Sequence, residues 1–187
     1  MSVKKIVILF SGEGSNLENL IRKLHPHKVN VLAAITNKPQ AKGIAKAEAL
    51  GIKTVIIDHT KFESREAFDT KLVETIKTLN PDLTILAGFM RILTPIFTDS
   101  INAINIHPSL LPLFKGANAL ERSFESDMKV GGVTVHEVVT EVDGGKIIAQ
   151  KCFIKENMDF EKFKTTIHAC EHEIFPEAVI KTLNKLS

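Results

Sequence analysis

Residues 101–112 read INAINIHPSLLP, and this run decides the fold. Ile104 and Ile106 are apolar and β-branched, and Asn105 and His107 alternate with them. A period of two makes a strand and puts the carboxamide and the imidazole on one face. Pro108 biases His107 towards an extended backbone and cannot continue a hydrogen-bonded ladder. The strand therefore stops where two polar side chains point the same way. Together an amide and an imidazole polarise a carbonyl and move a proton. Taken alone, such a pair at a strand end is commonly no more than a hydrogen-bonded edge. Its place favours chemistry, because open α/β sheets bind ligands at the carboxyl ends of central strands.

The rest of the chain supplies that sheet. Residues 4–10 form a short run, mostly apolar, that ends in SGEGSN, the pattern of a buried parallel strand. Ser15 opens a helix, with Glu18 completing an S-x-x-E capping box and Leu17, Leu20, Ile21 and Leu24 as its apolar stripe. A strand follows over 29–36, a helix over 44–50 stopped by Gly51, and a strand over 53–57. A long helix over 64–79 repeats Phe68, Leu72, Ile76 and Leu79, and 83–86 is a fourth strand. This alternation, with long crossovers, predicts an α/β fold: one domain built on a mostly parallel twisted sheet with helices on both faces. After Gly131 the pattern changes to two strands, 133–139 and 147–154, flanking a turn. Asp159 caps a last helix with Phe160, Phe163, Ile167, Cys170 and Ile174 on one face, which Pro176 is expected to kink or break.

Composition excludes several classes. The 187 residues suit a single domain, and 44% hydrophobic with 25% charged residues is enough for a core. A net charge of +2 gives no case for nucleic acid or a membrane surface. Two cysteines, Cys152 and Cys170, spell no disulfide framework, and the apolar run 6–10 is too short for a signal segment or a membrane span. The chain reads as cytoplasmic.

Four further segments carry candidate chemistry. The loop 11–16 puts glycines between a strand and a helix N-terminus, an anion site made of backbone N–H groups. Its third glycine is replaced by Leu17 and no acid ends the second strand, so a single phosphate suits it better than a dinucleotide. Glu13 is an awkward neighbour for phosphate and is expected to point away. Residues 168–172 spell H-x-x-E-H, a zinc motif, but a catalytic zinc wants a third ligand, and only Glu173 and Glu177 follow. The reading taken is two solvated histidines, with Glu171 turned inward. Asp143 stands in EVDGG, a hairpin-turn signal whose glycines also let the chain approach a ligand and present the carboxylate to His107. Residues 88–93 follow the fourth strand and offer apolar side chains and free backbone to a flat heterocycle. A cis Leu111–Pro112 bond is expected in the loop that ends the organising run.

The pieces SGEGSNL, SREAFD, ILAGFMRIL, INIHPSLLP, FKGANA, GVTVHEV, EVDGGKII and EHEIFP, in this order, resemble the phosphoribosylglycinamide formyltransferase family of folate-dependent enzymes. The resemblance implies a Rossmann-like formyltransferase domain of about seven strands, with 1–100 as a phosphate-binding half and 101–187 as a catalytic and folate half that does not stand alone. It implies Asn105, His107 and Asp143 as the catalytic trio. It implies Gly14, Ser15 and Asn16 with His168, Ala169, Cys170 and Glu171 for glycinamide ribonucleotide. For folate it implies Arg65, Met90, Arg91, Ile92, Leu93, Asn105, Val139, Thr140, Glu141, Val142 and Asp143. It further implies 10-formyltetrahydrofolate as cosubstrate, no metal, small-molecule substrates only, and a monomer or homodimer. Neighbouring branches that pass formyl to water or to methionyl-tRNA carry an additional domain. Two positions depart from the pattern: Glu13 stands where asparagine is expected, and Leu120 where histidine is.

Overall fold

The computed structural model describes residues 3–186. Five strands alternate with helices before the chain reverses. The strands are β1 Lys5–Phe10, β2 Asn30–Thr36, β3 Thr54–Ile56, β4 Leu83–Leu86 and β5 Ala103–His107, and then β6 Val130–Glu137 and β7 Ile147–Ile154. The helices are α1 Ser15–Leu24, α2 Gly43–Ala49, α3 Arg65–Leu79, α4 Pro95–Thr98, α5 Ala119–Glu125 and α6 Phe160–Lys185. All seven strands lie in one sheet of order β3-β2-β1-β4-β5-β6-β7. The first five are parallel, and β6 and β7 add antiparallel to the β5 edge.

Both faces of β1 are buried, so its apolar run serves two cores. Ile6, Ile8 and Phe10 meet α1, α2 and α6, while Val7 and Leu9 meet α3 and α4. In α1 the stripe Leu17, Leu20, Ile21 and Leu24 is buried, as its spacing predicts. Ser64 caps α3 by accepting from the Ala67 N–H, and Asp159 caps α6 by accepting from the Lys162 N–H.

Several details differ from the sequence reading. The capping box at Ser15 does not form. Gly14, at φ +71°, is the N-cap; Ser15 reaches His172 instead, and Glu18 pairs with Arg22 and Lys46. Strand β6 begins at Val130, so Gly131 and Gly132 lie inside it. A Cβ on Gly131 would stand 2.5 Å from the Phe163 ring, so glycine there marks close packing rather than a boundary. The helices α4 and α5 carry too few turns to show a period. Helix α6 runs unbroken across Pro176, which is buried with Phe175, Ala178 and Val179 against the sheet. Leu111–Pro112 is cis, as is His25–Pro26.

Candidate active site

The end of β5 is where the sheet turns from parallel to antiparallel. Asn105 and His107 sit on one face there, and β6 places His136 opposite Asn105 and Thr134 opposite His107. Thr134 fixes the loop that follows β5: its hydroxyl donates to the Ser109 carbonyl at 2.7 Å and accepts from the Leu111 N–H at 3.0 Å. Gln150 of β7 donates to the Leu111 carbonyl, and Ser109 to the Leu113 carbonyl. The loop is thus held by β6 and β7 as well as by its prolines.

Asp143 reaches this point from the loop joining β6 to β7. Its Oδ2 lies 3.3 Å from His107 Nδ1 and accepts from the Gly116 N–H at 2.8 Å; its Oδ1 lies 3.4 Å from His136 Nε2. His107 Nε2 faces the Phe114 carbonyl at 2.9 Å. Both ring nitrogens of His107 therefore face oxygen atoms. His136 Nδ1 donates to the Glu137 carbonyl at 2.8 Å, and its Nε2 lies 3.1 Å from Asn105 Nδ2. Burial of Asp143 opposes its charge, but His136, the Gly116 N–H and the field of His107 outweigh it and hold the carboxyl below its ordinary value. Its side chain is only 10% exposed.

The glycines after Asp143 meet a crowding that the sequence reading did not foresee. A Cβ on Gly145 would lie 1.8 Å from the Glu137 carbonyl oxygen, so the loop presses on its own strand. That contact, with the Glu137 N–H donating to the Lys146 carbonyl, turns Asp143 back over β5. Asp143 itself stands at φ +53°, a conformation asparagine and aspartate tolerate best among side-chain-bearing residues.

A cleft of about 700 Å³ opens beside this group. Met90, Arg91, Ile92 and Leu93 from the loop after β4 line it, with Val139, Thr140, Val142 and Asp143 opposite and Asn105 and His107 at its floor. The Arg91 guanidinium lies over the Phe68 ring, 5.1 Å from its centre. Residues 116–121 form a further wall that the sequence reading did not assign, Leu120 among them. Two expected residues do not line the cleft. Glu141 turns outward to Lys115, with 2.8 Å between the charged groups, and Arg65 is an exposed first residue of α3. A long charged side chain at a helix start is drawn to solvent when no fixed partner holds it.

A second polar group lies where α1 meets α6. Asn16 Nδ2 donates to Glu171 Oε2 at 2.9 Å, His168 Nδ1 meets the same oxygen at 3.0 Å, and Ser15 Oγ meets His172 Nε2 at 2.9 Å. Glu171 is 5% exposed and turned inward, as read. The two histidines are not simply solvated. His168 is held above its ordinary pKa by its hydrogen bond to Glu171, and His172 is pushed down by burial. Cys170 is buried, which raises its thiol, and Ala169 is exposed. Gly14 is fixed by its positive φ and by Gly43, whose Cα a Cβ would approach to 2.6 Å. The Glu13 carboxylate turns out to Lys42 at 2.9 Å. Ser11, which the sequence reading passed over, ties the loops after β1, β2 and β4 together. Its hydroxyl donates to Asn37 Oδ1 at 2.6 Å and accepts from the Met90 N–H at 2.8 Å. Among the described residues no group of three or more His, Cys, Asp or Glu side chains is placed to hold a metal ion, and no helix is long and apolar enough to cross a membrane.

An amide, an imidazole and a carboxylate meet at the carboxyl edge of a mostly parallel sheet, beside an apolar cleft, in an α/β protein. The chain belongs to the formyl transferase family, whose model matches residues 4–179. It is 38% identical over 186 residues to phosphoribosylglycinamide formyltransferase of Bacillus subtilis (strain 168), covering 97% of this chain and 95% of that one. The crystal structure of phosphoribosylglycinamide formyltransferase from Campylobacter jejuni superposes with a TM-score of 0.93 at 55% identity, covering 97% of this chain and 98% of that one. The trifunctional purine biosynthetic protein adenosine-3 of Bos taurus is 40% identical over 180 residues; the match takes 94% of this chain but only 18% of that much longer protein.

Proposed function

We propose that this chain transfers the formyl group of 10-formyltetrahydrofolate to the amine of 5-phosphoribosylglycinamide in de novo purine biosynthesis. The products are formylglycinamide ribonucleotide and tetrahydrofolate. The observation that carries the reading is the convergence of Asn105, His107 and Asp143 at one end of an apolar cleft. Membership of the formyl transferase family supports it, as does similarity over nearly the full length to the Bacillus and Campylobacter proteins.

In this mechanism the cleft walls, Met90 to Leu93 on one side and Val139, Thr140 and Val142 on the other, take the flat folate ring, and its formyl carbon rests over Asn105 and His107. The backbone N–H groups from Gly14 to Asn16, at the positive end of α1, take the substrate phosphate. Glu171, with its neighbours His168 to Cys170, holds the rest of the glycinamide substrate. As the amine attacks the formyl carbon, the Asn105 amide donates a hydrogen bond to the developing oxyanion, and His107 joins it by turning its Nε2–H from the Phe114 carbonyl to that oxygen. One such donor typically contributes about 3–4 kcal/mol to lowering the barrier. Asp143 holds the His107 ring in place. Through water it helps move a proton from the attacking amine to the folate nitrogen whose bond to the formyl carbon breaks. The balance is one C–N bond formed, one C–N bond broken and one proton passed between the two nitrogens, with no covalent enzyme intermediate. The substrates are small molecules and neither step needs a second chain, so a monomer or a homodimer serves. Two unpaired cysteines suit a cytoplasmic enzyme.

The test mixes purified protein with 10-formyltetrahydrofolate, with and without glycinamide ribonucleotide, and follows tetrahydrofolate. Release that depends on the amine, with formylated product found by mass spectrometry, is expected. Equal release without the amine would make water the acceptor and overturn the assignment.

A further inference from the structure

Pro176 has no N–H, so the carbonyl of His172, four residues earlier in α6, loses its intrahelical donor. That carbonyl is nevertheless filled from outside the helix. Asn19 Nδ2 donates to it at 2.8 Å and Lys23 Nζ at 2.7 Å. Both donors belong to α1, and with Ser15 they recur every four residues, so the three share one stripe. Ser15 meets the ring of the same histidine. One residue along each helix, Asn16 donates to Glu171. Apolar contact through Leu17, Leu20 and Leu24 sets the distance between α1 and α6, but it is non-directional and leaves sliding and rotation loosely fixed. Two directed bonds to one carbonyl remove that freedom, and the ammonium donor strengthens its bond. Asn16 Oδ1 is buried with no protein donor, so the register of Asn16 decides what that oxygen presents to a ligand.

We propose that Pro176, Asn19 and Lys23 are positioning residues. The missing amide of Pro176 opens a carbonyl in α6, and α1 docks on it, setting the phosphate loop at Ser15 and Asn16 in register with Glu171. An alanine at 176 would close that carbonyl with its own N–H and release α1. The inference rests on the reading that residues 14–16 hold the phosphate of the phosphorylated amine and Glu171 the part of the substrate beside it. It concerns only how those two groups are kept in register.

The test is a double-mutant cycle in the full chain, with Asn19→Ala plus Lys23→Met on one side and Pro176→Ala on the other. Losing bonds of ordinary strength should raise KM for glycinamide ribonucleotide roughly five- to tenfold. The turnover number and the folate KM should stay within about twofold, a split that general loosening of the fold would not give. In the Pro176→Ala background the same pair of substitutions should change KM by less than about twofold, because the carbonyl is already satisfied. Lys23→Arg, which keeps a donor, should restore most of the affinity when Asn19 is intact. An unchanged KM, an equal loss in both backgrounds or a parallel fall in all constants would overturn the proposal. If the unaltered chain neither binds nor formylates glycinamide ribonucleotide, the substrate assignment falls by itself. The cycle is then read in urea midpoints, where coupling upholds the exchange of donors and simple additivity overturns it.

Discussion

Asp143 is charged because three neighbours insist on it. Burial alone would favour the neutral acid, yet His136, the Gly116 N–H and His107 reverse that preference. Since the folded value lies below the ordinary 3.8, ionised Asp143 stabilises the fold above that pH. The contribution is lost as pH falls through the lowered value. Urea midpoints taken downwards from about pH 5 should therefore fall more steeply for the natural chain than for Asp143→Asn, and parallel curves would count against this ion pairing. Asn105 and His107 were legible from local alternation alone, because a strand's period of two is written in adjacent residues. His136 was not. Its place opposite Asn105 follows from the register of β6 against β5, which no local pattern records.

The loop between β6 and β7 carries Asp143 to its partners, and Gly145 is its tightest point. Gly145→Ala would force a methyl group into the Glu137 carbonyl. The loop must then lift, taking Asp143 from His107. Turnover should fall by at least about tenfold with a stability loss of about 1–3 kcal/mol, measured together by formyl-transfer assay and thermal unfolding. An alanine variant with normal turnover would show that the loop's contact with its own strand does not place the carboxylate. The D-G-G signal announced a turn correctly but concealed this reason, because the crowding comes from Glu137, several residues away. The same limit hid the fate of the first helix. Ser15 and Glu18 spell a capping box, but α6 offers Ser15 a histidine and the basic residues Arg22 and Lys46 claim Glu18, so tertiary contacts override the local pairing. Pro176, expected to kink or break the last helix, does not break α6, because its buried neighbours hold the helix against the sheet.

One sheet joins both halves of the chain. β1, which leads into the loop 11–16, and β5, which carries Asn105 and His107, flank β4, and α6 from the far end packs on β6, β7 and α1 within a core that β1 shares. Unfolding should therefore be a single transition, followed by far-ultraviolet circular dichroism because the sequence has no Trp or Tyr. Phe163 is fully buried against Phe124 and Phe153, so Phe163→Ala should cost about 3–5 kcal/mol and lower the midpoint by roughly 10 °C without splitting the transition. Two separate transitions would contradict the shared core. The alternating order of elements made this architecture readable, since parallel strands need crossovers and crossovers leave a period. The short helices α4 and α5 were lost because two turns or fewer leave none. The account stands most directly on the turnover of Asp143→Asn, measured with both substrates saturating and the fold checked by circular dichroism. The arrangement of His107, Asn105 and Asp143 predicts a fall of about a hundredfold or more with unchanged unfolding. Turnover close to that of the natural chain would contradict it.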